Sequence, residues 1–150
     1  MTTNVTSDTT TTNNKATVRR LAEAANTRNP AVISAVIDEV VAPDVRNTTP
    51  LPVQATGAEA LKQVWAMLLR VFPDLQLTVE EVVAEGDTVV SRHTVRGTHV
   101  GYYLGLAGTG RSVTYGEMFF FRFENGRIVE ISGIVDVAGQ LRQLGLLPGR

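Results

Sequence analysis

Asp136 stands in a stretch that carries no other charge, with Gly133-Ile134-Val135 before it and Val137-Ala138 after it. A carboxylate in apolar company loses hydration. Its ionised form is then disfavoured, and its pKa rises toward the range of a proton-transfer base. Asp is equally a favoured helix N-cap, and an acid that accepts backbone N–H bonds is pushed the other way, toward a stronger acid. Both readings stand on these residues.

Which groups would share a surface with Asp136 follows from hairpin arithmetic. Asn125-Gly126 is a tight two-residue turn between strand-like runs, and such a turn fixes the pairing of the strands it joins. Counting outward without interruption, Phe119 is expected opposite Ser132, Glu117 opposite Ile134 and Tyr115 opposite Asp136. Opposed residues share a face. Tyr115 would then donate to a developing enolate oxygen, and Glu117 would serve as a second acid or as the charge that raises Asp136. The Gly86-Asp87 turn likewise pairs Arg92 with Glu81 and His93 with Glu80. These are expected as solvated pairs of small energetic value, unless Arg92 points inward to steady an anion.

Other motifs carry less. His99 lies where the second of these strands gives way to a Gly-rich connection, and is either a hydrogen bonder of the loop or an assisting acid/base. His93 and His99 lack the spacing of metal ligands, so no metal is expected. Gly108-Thr109-Gly110-Arg111 has no Lys-Ser/Thr ending and precedes a strand rather than a helix, which removes the phosphate-loop reading. No nucleophile elbow is present. Phe119, Phe121 and Phe123 alternate with Phe120, as expected for a strand with one face on a core.

The elements that would hold these groups are legible in the periodicity. Val18, Leu21, Ala22 and Ala25 mark a helix from Lys15. Val32, Ile33, Val36, Ile37 and Val40 mark a second, opened by Pro30 and ended by Pro43. Thr56-Gly57-Ala58-Glu59 has the form of a capping box before a third helix with Leu61, Val64, Trp65, Leu68 and Leu69 on one stripe. Strands are expected at about 75–85, 88–98, 112–124 and 127–136, followed by a short helix from Gln140 to Leu144 stopped by Gly145. Residues 1–14, almost all Thr and Asn, cannot offset their ordering entropy by burial and are expected as a flexible tail. Residues 15–150 are expected as one α+β domain, its helices packed on one side of a curved antiparallel sheet.

Composition bounds the function. The chain has 150 residues, 14 Lys+Arg against 15 Asp+Glu, and no cysteine. A single domain of this size has a real core. Near-neutral charge argues against nucleic acid or an anionic membrane as partner. The missing cysteines exclude disulfides, thiolate metal sites and Cys nucleophiles. No run approaches a membrane span and no secretory signal is visible, so a cytoplasmic location is expected.

Several stretches together resemble a known family: Phe72-Pro73-Asp74-Leu75, Val79 through Asp87, Gly97-Thr98-His99-Val100-Gly101, Thr109-Gly110-Arg111, Phe121 through Glu130, and Asp136 with Gln143-Leu144-Gly145. In order and spacing they are similar to the SnoaL-like polyketide cyclases of the nuclear-transport-factor-2-like superfamily. The resemblance implies a cone of curved sheet and three N-terminal helices around an apolar pocket. It also implies a homo-oligomer (dimer or tetramer), a polyketide-like small-molecule substrate, and cofactor-independent ring closure by acid/base chemistry. Asp136 matches the family's acid/base residue and His99 a recurrent His, with Tyr115 and Glu117 as further catalytic candidates. Arg92, Asn47, Phe119, Ser132 and Trp65 are the expected substrate-binding positions. Many relatives carry His-Trp at Ile131-Ser132 and a His near Asn47, so Ser132 is expected to enlarge the pocket beside the base. Hydroxylation, isomerisation, epoxide opening and simple ligand binding on the same fold remain open.

Overall fold

Two glycine-bearing turns organise the sheet. Asn125 and Gly126 both adopt positive φ (50° and 77°), the geometry that lets a two-residue turn follow the twist of its strands, and Gly86 does so at 59°. In the computed structural model, which describes the backbone of residues 3–148 and side chains from residue 9, these turns join β2 (Gln76–Glu85) to β3 (Thr88–Thr98) and β4 (Ser112–Glu124) to β5 (Arg127–Val135). The expected strand bounds agree with these to within a residue. A further strand, β1 (Val41–Asn47), pairs parallel with β5 and completes a five-stranded sheet of order β1-β5-β4-β3-β2. It was not expected because Pro43 reads as a helix stop. Proline is tolerated in β1 because the strand lies at the sheet's edge.

The helices are α1 (Thr3–Asn26), α2 (Pro30–Val40), α3 (Gly57–Val71) and α4 (Val137–Gln143). Helix α1 corrects the expected flexible tail, since from Thr3 onward the Thr/Asn-rich stretch is helical. Asn14 is buried at 3% exposure and continues the core-facing series Val18, Ala22, Ala25 backward by one turn. Met1 and Thr2, the first residues of that tail, lie outside the described residues. Asn29 caps α2 by accepting from the N–H groups of Ala31 and Val32. Thr56 takes the N-cap position of α3, but the expected capping box does not form, because its side chain makes no cap bond. No helix among the described residues is long and apolar enough to cross a membrane.

Two bulges decide which side chains face the helices. Between β4 and β5 the pairing is Phe123 with Ile128, then Arg122 with Glu130, leaving Val129 as an extra residue. Between β2 and β3 it is Glu81 with Arg92, then Val79 with His93, leaving Glu80 as the extra residue. A one-residue slip turns every later side chain of a strand to the other face relative to its neighbour. The concave face therefore presents Val89, Ser91, His93 and Val95 from β3 and Val113, Tyr115, Glu117, Phe119 and Phe121 from β4. From β5 it presents Ile131, Gly133 and Val135.

Under this face lie two hydrophobic clusters. One gathers Ile33, Ile37, Val45, Val89, Phe121, Phe123 and Ile128, the other Val71, Phe72, Leu75, Leu77, Val95, Val113, Tyr115 and Leu144. Trp65 and Leu69 of α3 pack against both. Along β3 and β4 the two clusters leave a gap between Val89 and Val95 and between Phe121 and Tyr115. That gap is where the polar residues fall.

Candidate active site

Ser91 and His93 alternate with the core residues Val89 and Val95 on β3, so strand periodicity turns both inward. Ser91 is fully buried and His93 is 6% exposed. The Ser91 hydroxyl lies 2.5 Å from Nε2 of His93, and Nδ1 of the same ring lies 3.0 Å from Oε1 of Glu117. Glu117 is directly opposite His93 across the β3/β4 ladder, and its side chain is 12% exposed. The Phe119 ring leans on the imidazole, its centroid 6.3 Å away. A hydroxyl, an imidazole and a carboxylate thus run in series through an otherwise apolar seam.

A second polar group continues toward α4. Tyr115, two residues before Glu117 on the same face, is buried at 5% exposure. Burial, and after it the negative charge of Glu117, pushes its hydroxyl well above the ordinary tyrosine range, while a bond to Gln140 opposes this. Tyr115 therefore remains a protonated donor at any physiological pH. Tyr103 donates to Oε1 of Gln140 at 2.9 Å, and its own hydroxyl is also raised by burial. Gln140, 1% exposed, ties the Tyr103 phenol to the C-terminal helix.

His99 is completely buried against Phe72. The Thr109 N–H donates to its Nδ1 at 3.2 Å, and the Thr109 hydroxyl sits 2.9 Å from the same nitrogen. That hydroxyl accepts from the Arg111 N–H, so its proton is directed to Nδ1. The ring proton is left on Nε2, which has no partner among the described residues. His99 pins the 99–111 connection and offers one unpaired buried donor.

Of the expected site residues, Tyr115, Glu117 and Phe119 share the concave face, with Trp65 packed against the clusters that flank it. Others lie elsewhere. Asp136 does not face inward. The slip at Val129 places Val135, not Ile134, opposite Glu117, and Asp136 is exposed as the N-cap of α4, accepting from the Gly139 N–H at 2.8 Å. Of the two readings of this residue, the cap is the one the structure shows.

Ser132 pairs with Phe120 on the outer face, so it opens no volume beside a buried base. The small residue that faces inward is Gly133, opposite Phe119. Arg92 is exposed on the outer face, 3.5 Å from Glu81, and steadies nothing in the interior. Asn47 borders a separate cleft of about 630 Å³ between β1 and the approach to α3. Its amide donates to the Gly57 carbonyl at 3.3 Å, and its Oδ1 has no partner among the described residues.

Sequence reasoning missed Ser91, His93, Tyr103 and Gln140. The signal for the first two was present, because Val89-x-Ser91-x-His93-x-Val95 is an alternating strand pattern with two polar members on its apolar side. Uninterrupted counting across the β2/β3 hairpin assigned His93 to Glu80 instead.

The fold and the whole chain are similar to known proteins. AclR from Streptomyces galilaeus, a candidate hydroxylase, is 29% identical over 93% of this chain and 85% of its own, with a TM-score of 0.80. IdmH from Streptomyces antibioticus, a candidate polyketide cyclase, is 31% identical over 88% of this chain and 98% of its own, with a TM-score of 0.76. TsrD from Streptomyces laurentii is also 31% identical, over 88% and 97%, with a TM-score of 0.76. Among curated proteins none matches significantly. The model of the SnoaL-like polyketide cyclases matches residues 15–144, and the chain belongs to that family.

Proposed function

We propose that the protein closes a ring in a polyketide-type intermediate by acid/base chemistry without a cofactor, with Glu117 as the proton-transfer base. The observation that carries this reading is the His93–Glu117 pair, an imidazole and a carboxylate 3.0 Å apart within the apolar seam of a family of cyclases. A methylene between two carbonyls is already acidic, so the protein has two tasks. It must hold the substrate in one reactive conformer and place a base at that carbon. Orientation is worth up to ~7–11 kcal/mol of barrier, and a positioned base a further ~10²–10⁴-fold.

Glu117 takes the proton, and the resulting carbanion attacks a second carbonyl carbon of the same chain. The alkoxide that forms is protonated in turn. Tyr115 donates to the enolate oxygen, for which its high pKa suits it, because it supports negative charge by a hydrogen bond without surrendering its proton. Phe119, Phe121 and Trp65 supply apolar walls. Asp136 has no part in this scheme.

The test is incubation of the purified protein with a linear poly-β-ketone, followed by mass spectrometry and NMR of the product. Ring closure gives an isomer or its dehydration product, and Glu117→Gln abolishes it. Recovery of unchanged ketone bound to the protein would support a carrier instead, and a product heavier by one oxygen would support the hydroxylase reading.

A second copy is expected on the outer face of the sheet. There Met118 pairs with Ile134 and Phe120 with Ser132, and Val83 continues the patch through its neighbour Val90. Ile134, near the C-terminal end of β5, is 78% exposed, unusual for a large aliphatic residue of a sheet strand.

A further inference from the structure

We propose that Ser91 is a positioning residue for this chemistry: by donating to Nε2 of His93, it holds the single ring proton of that imidazole on Nδ1, directed at Glu117. The inference rests on the reading of Glu117 as base, and it concerns how that base is held. A carboxylate only accepts hydrogen bonds, so the 3.0 Å contact requires a proton on Nδ1. The hydroxyl 2.5 Å from Nε2 then has one way to pair with a neutral ring, as donor to the nitrogen lone pair.

All three groups are enclosed, with Ser91 and His93 nearly inaccessible to solvent, so water does not compensate a misplaced proton. The opposite tautomer would set the Nδ1 lone pair against the carboxylate and leave Glu117 without its partner. Ser91 is too enclosed to attack a substrate itself, and its effect reaches the reaction through His93. The only other histidine, His99, is held in the reverse state by Thr109, with its proton on Nε2.

The two histidines therefore predict a simple spectrum. In protein labelled with ¹⁵N-histidine, NMR should show one neutral ring protonated on Nδ1 and one protonated on Nε2, with His93→Gln removing the first. Ser91→Thr, which keeps a hydroxyl, should retain the Nδ1–H signal. Ser91→Ala, which leaves the Nε2 lone pair without its donor, should lose the neutral Nδ1–H signal to the imidazolium or to a mixture. A merely structural serine would lower stability without changing the tautomer. An Nε2–H or doubly protonated His93 in the unmodified protein would overturn the inference, as would an unchanged Nδ1–H ring in Ser91→Ala. Should Ser91→Ala fail to fold, the state of His93 in the unmodified protein and in Ser91→Thr still decides. No turnover is needed, so this result stands apart from the cyclisation assay: persistence of the neutral Nδ1–H ring in Ser91→Ala refutes the role of Ser91, and full activity of Glu117→Gln refutes the role of the base.

Discussion

Two glycines on adjacent strands should respond in opposite directions to the same substitution. A Cβ at Gly133 would lie 2.2 Å from Cδ1 and 2.6 Å from Cε1 of Phe119, and 2.6 Å from the Met118 carbonyl oxygen. The ring would have to recede by about 1 Å to reach ordinary contact. The carbonyl belongs to a strand hydrogen-bonded on both sides and has little freedom to move. Overpacking of this kind costs about 1–3 kcal/mol, and a backbone clash puts Gly133→Ala at the upper end, near 3 kcal/mol. At this chain length each kcal/mol lowers Tm by roughly 2–4 °C, so a loss of roughly 6–12 °C is expected.

Gly116 is the control. An added Cβ there meets only the His93 carbonyl oxygen at 3.9 Å, an ordinary contact, and its φ lies outside the left-handed region. Alanine at Gly116 restricts the unfolded chain and should stabilise by about 0.4–1 kcal/mol. Calorimetric melts of the two variants test this directly. The Phe119→Leu change in the Gly133→Ala background should recover part of the loss, as a double-mutant cycle between touching residues requires. If Gly133→Ala melts with the unmodified protein, or if both variants shift together, the inward placement of residue 133 and the register that produces it are wrong.

Further outcomes follow from the same geometry. Asp136→Ala removes an N-cap and should cost about 0.5–2 kcal/mol in urea unfolding while ring closure persists; abolished turnover in a folded variant would return the base to Asp136. Tyr115→Phe should lower kcat by roughly 10²-fold if its hydroxyl supports the enolate, and unchanged kcat would remove that role. Asp74 accepts from the Thr98 N–H and hydroxyl, both at 2.7 Å, and the N–H first and the hydroxyl second hold its carboxyl below the ordinary value. A depressed carboxyl contributes stability above its unfolded pKa of ~3.9 that is lost as pH falls through the folded value. The Tm deficit of Asp74→Ala should therefore be present at neutral pH and shrink below about pH 4. Ile134→Glu combined with Phe120→Glu should leave a monomer in light scattering if the outer face holds a second copy.

The strands, their turns and most of the core were legible, because period-two alternation and Asn-Gly chemistry act locally. What was not legible is where a strand takes an extra residue. Val129 and Glu80 carry no turn signal, and their bulging is set by how the sheet curves over the helices. The consequence for the site was large. Counting straight through Val129 placed Ser132, Ile134 and Asp136 on the concave face, and counting straight through Glu80 gave His93 a solvent-facing partner. Glu117, Tyr115 and Phe119 were placed correctly because they share one strand, and alternation within a strand needs no register. Residues linked only through a partner strand were the ones misplaced.

That distinction also bears on why the polar series sits where it does. A carboxylate and an imidazole in an apolar interior are costly unless each satisfies the other, and the β3/β4 ladder is the one part of the sheet whose pairing runs from Thr88–Arg122 to Thr98–Ser112 without a slip. There the opposition of His93 and Glu117 is fixed by eleven consecutive pairs, so neither side chain depends on a loop for its position. The bulges fall outside this ladder, on β2 and β5, where they bend the flanking strands around it. The uninterrupted central pair of strands holds His93 and Glu117 in register, while the irregular flanking strands curve around them. A deletion of Val129 that restored straight pairing between β4 and β5 should therefore disturb the wall formed by Ile131, Gly133 and Val135 while leaving the His93–Glu117 contact in place.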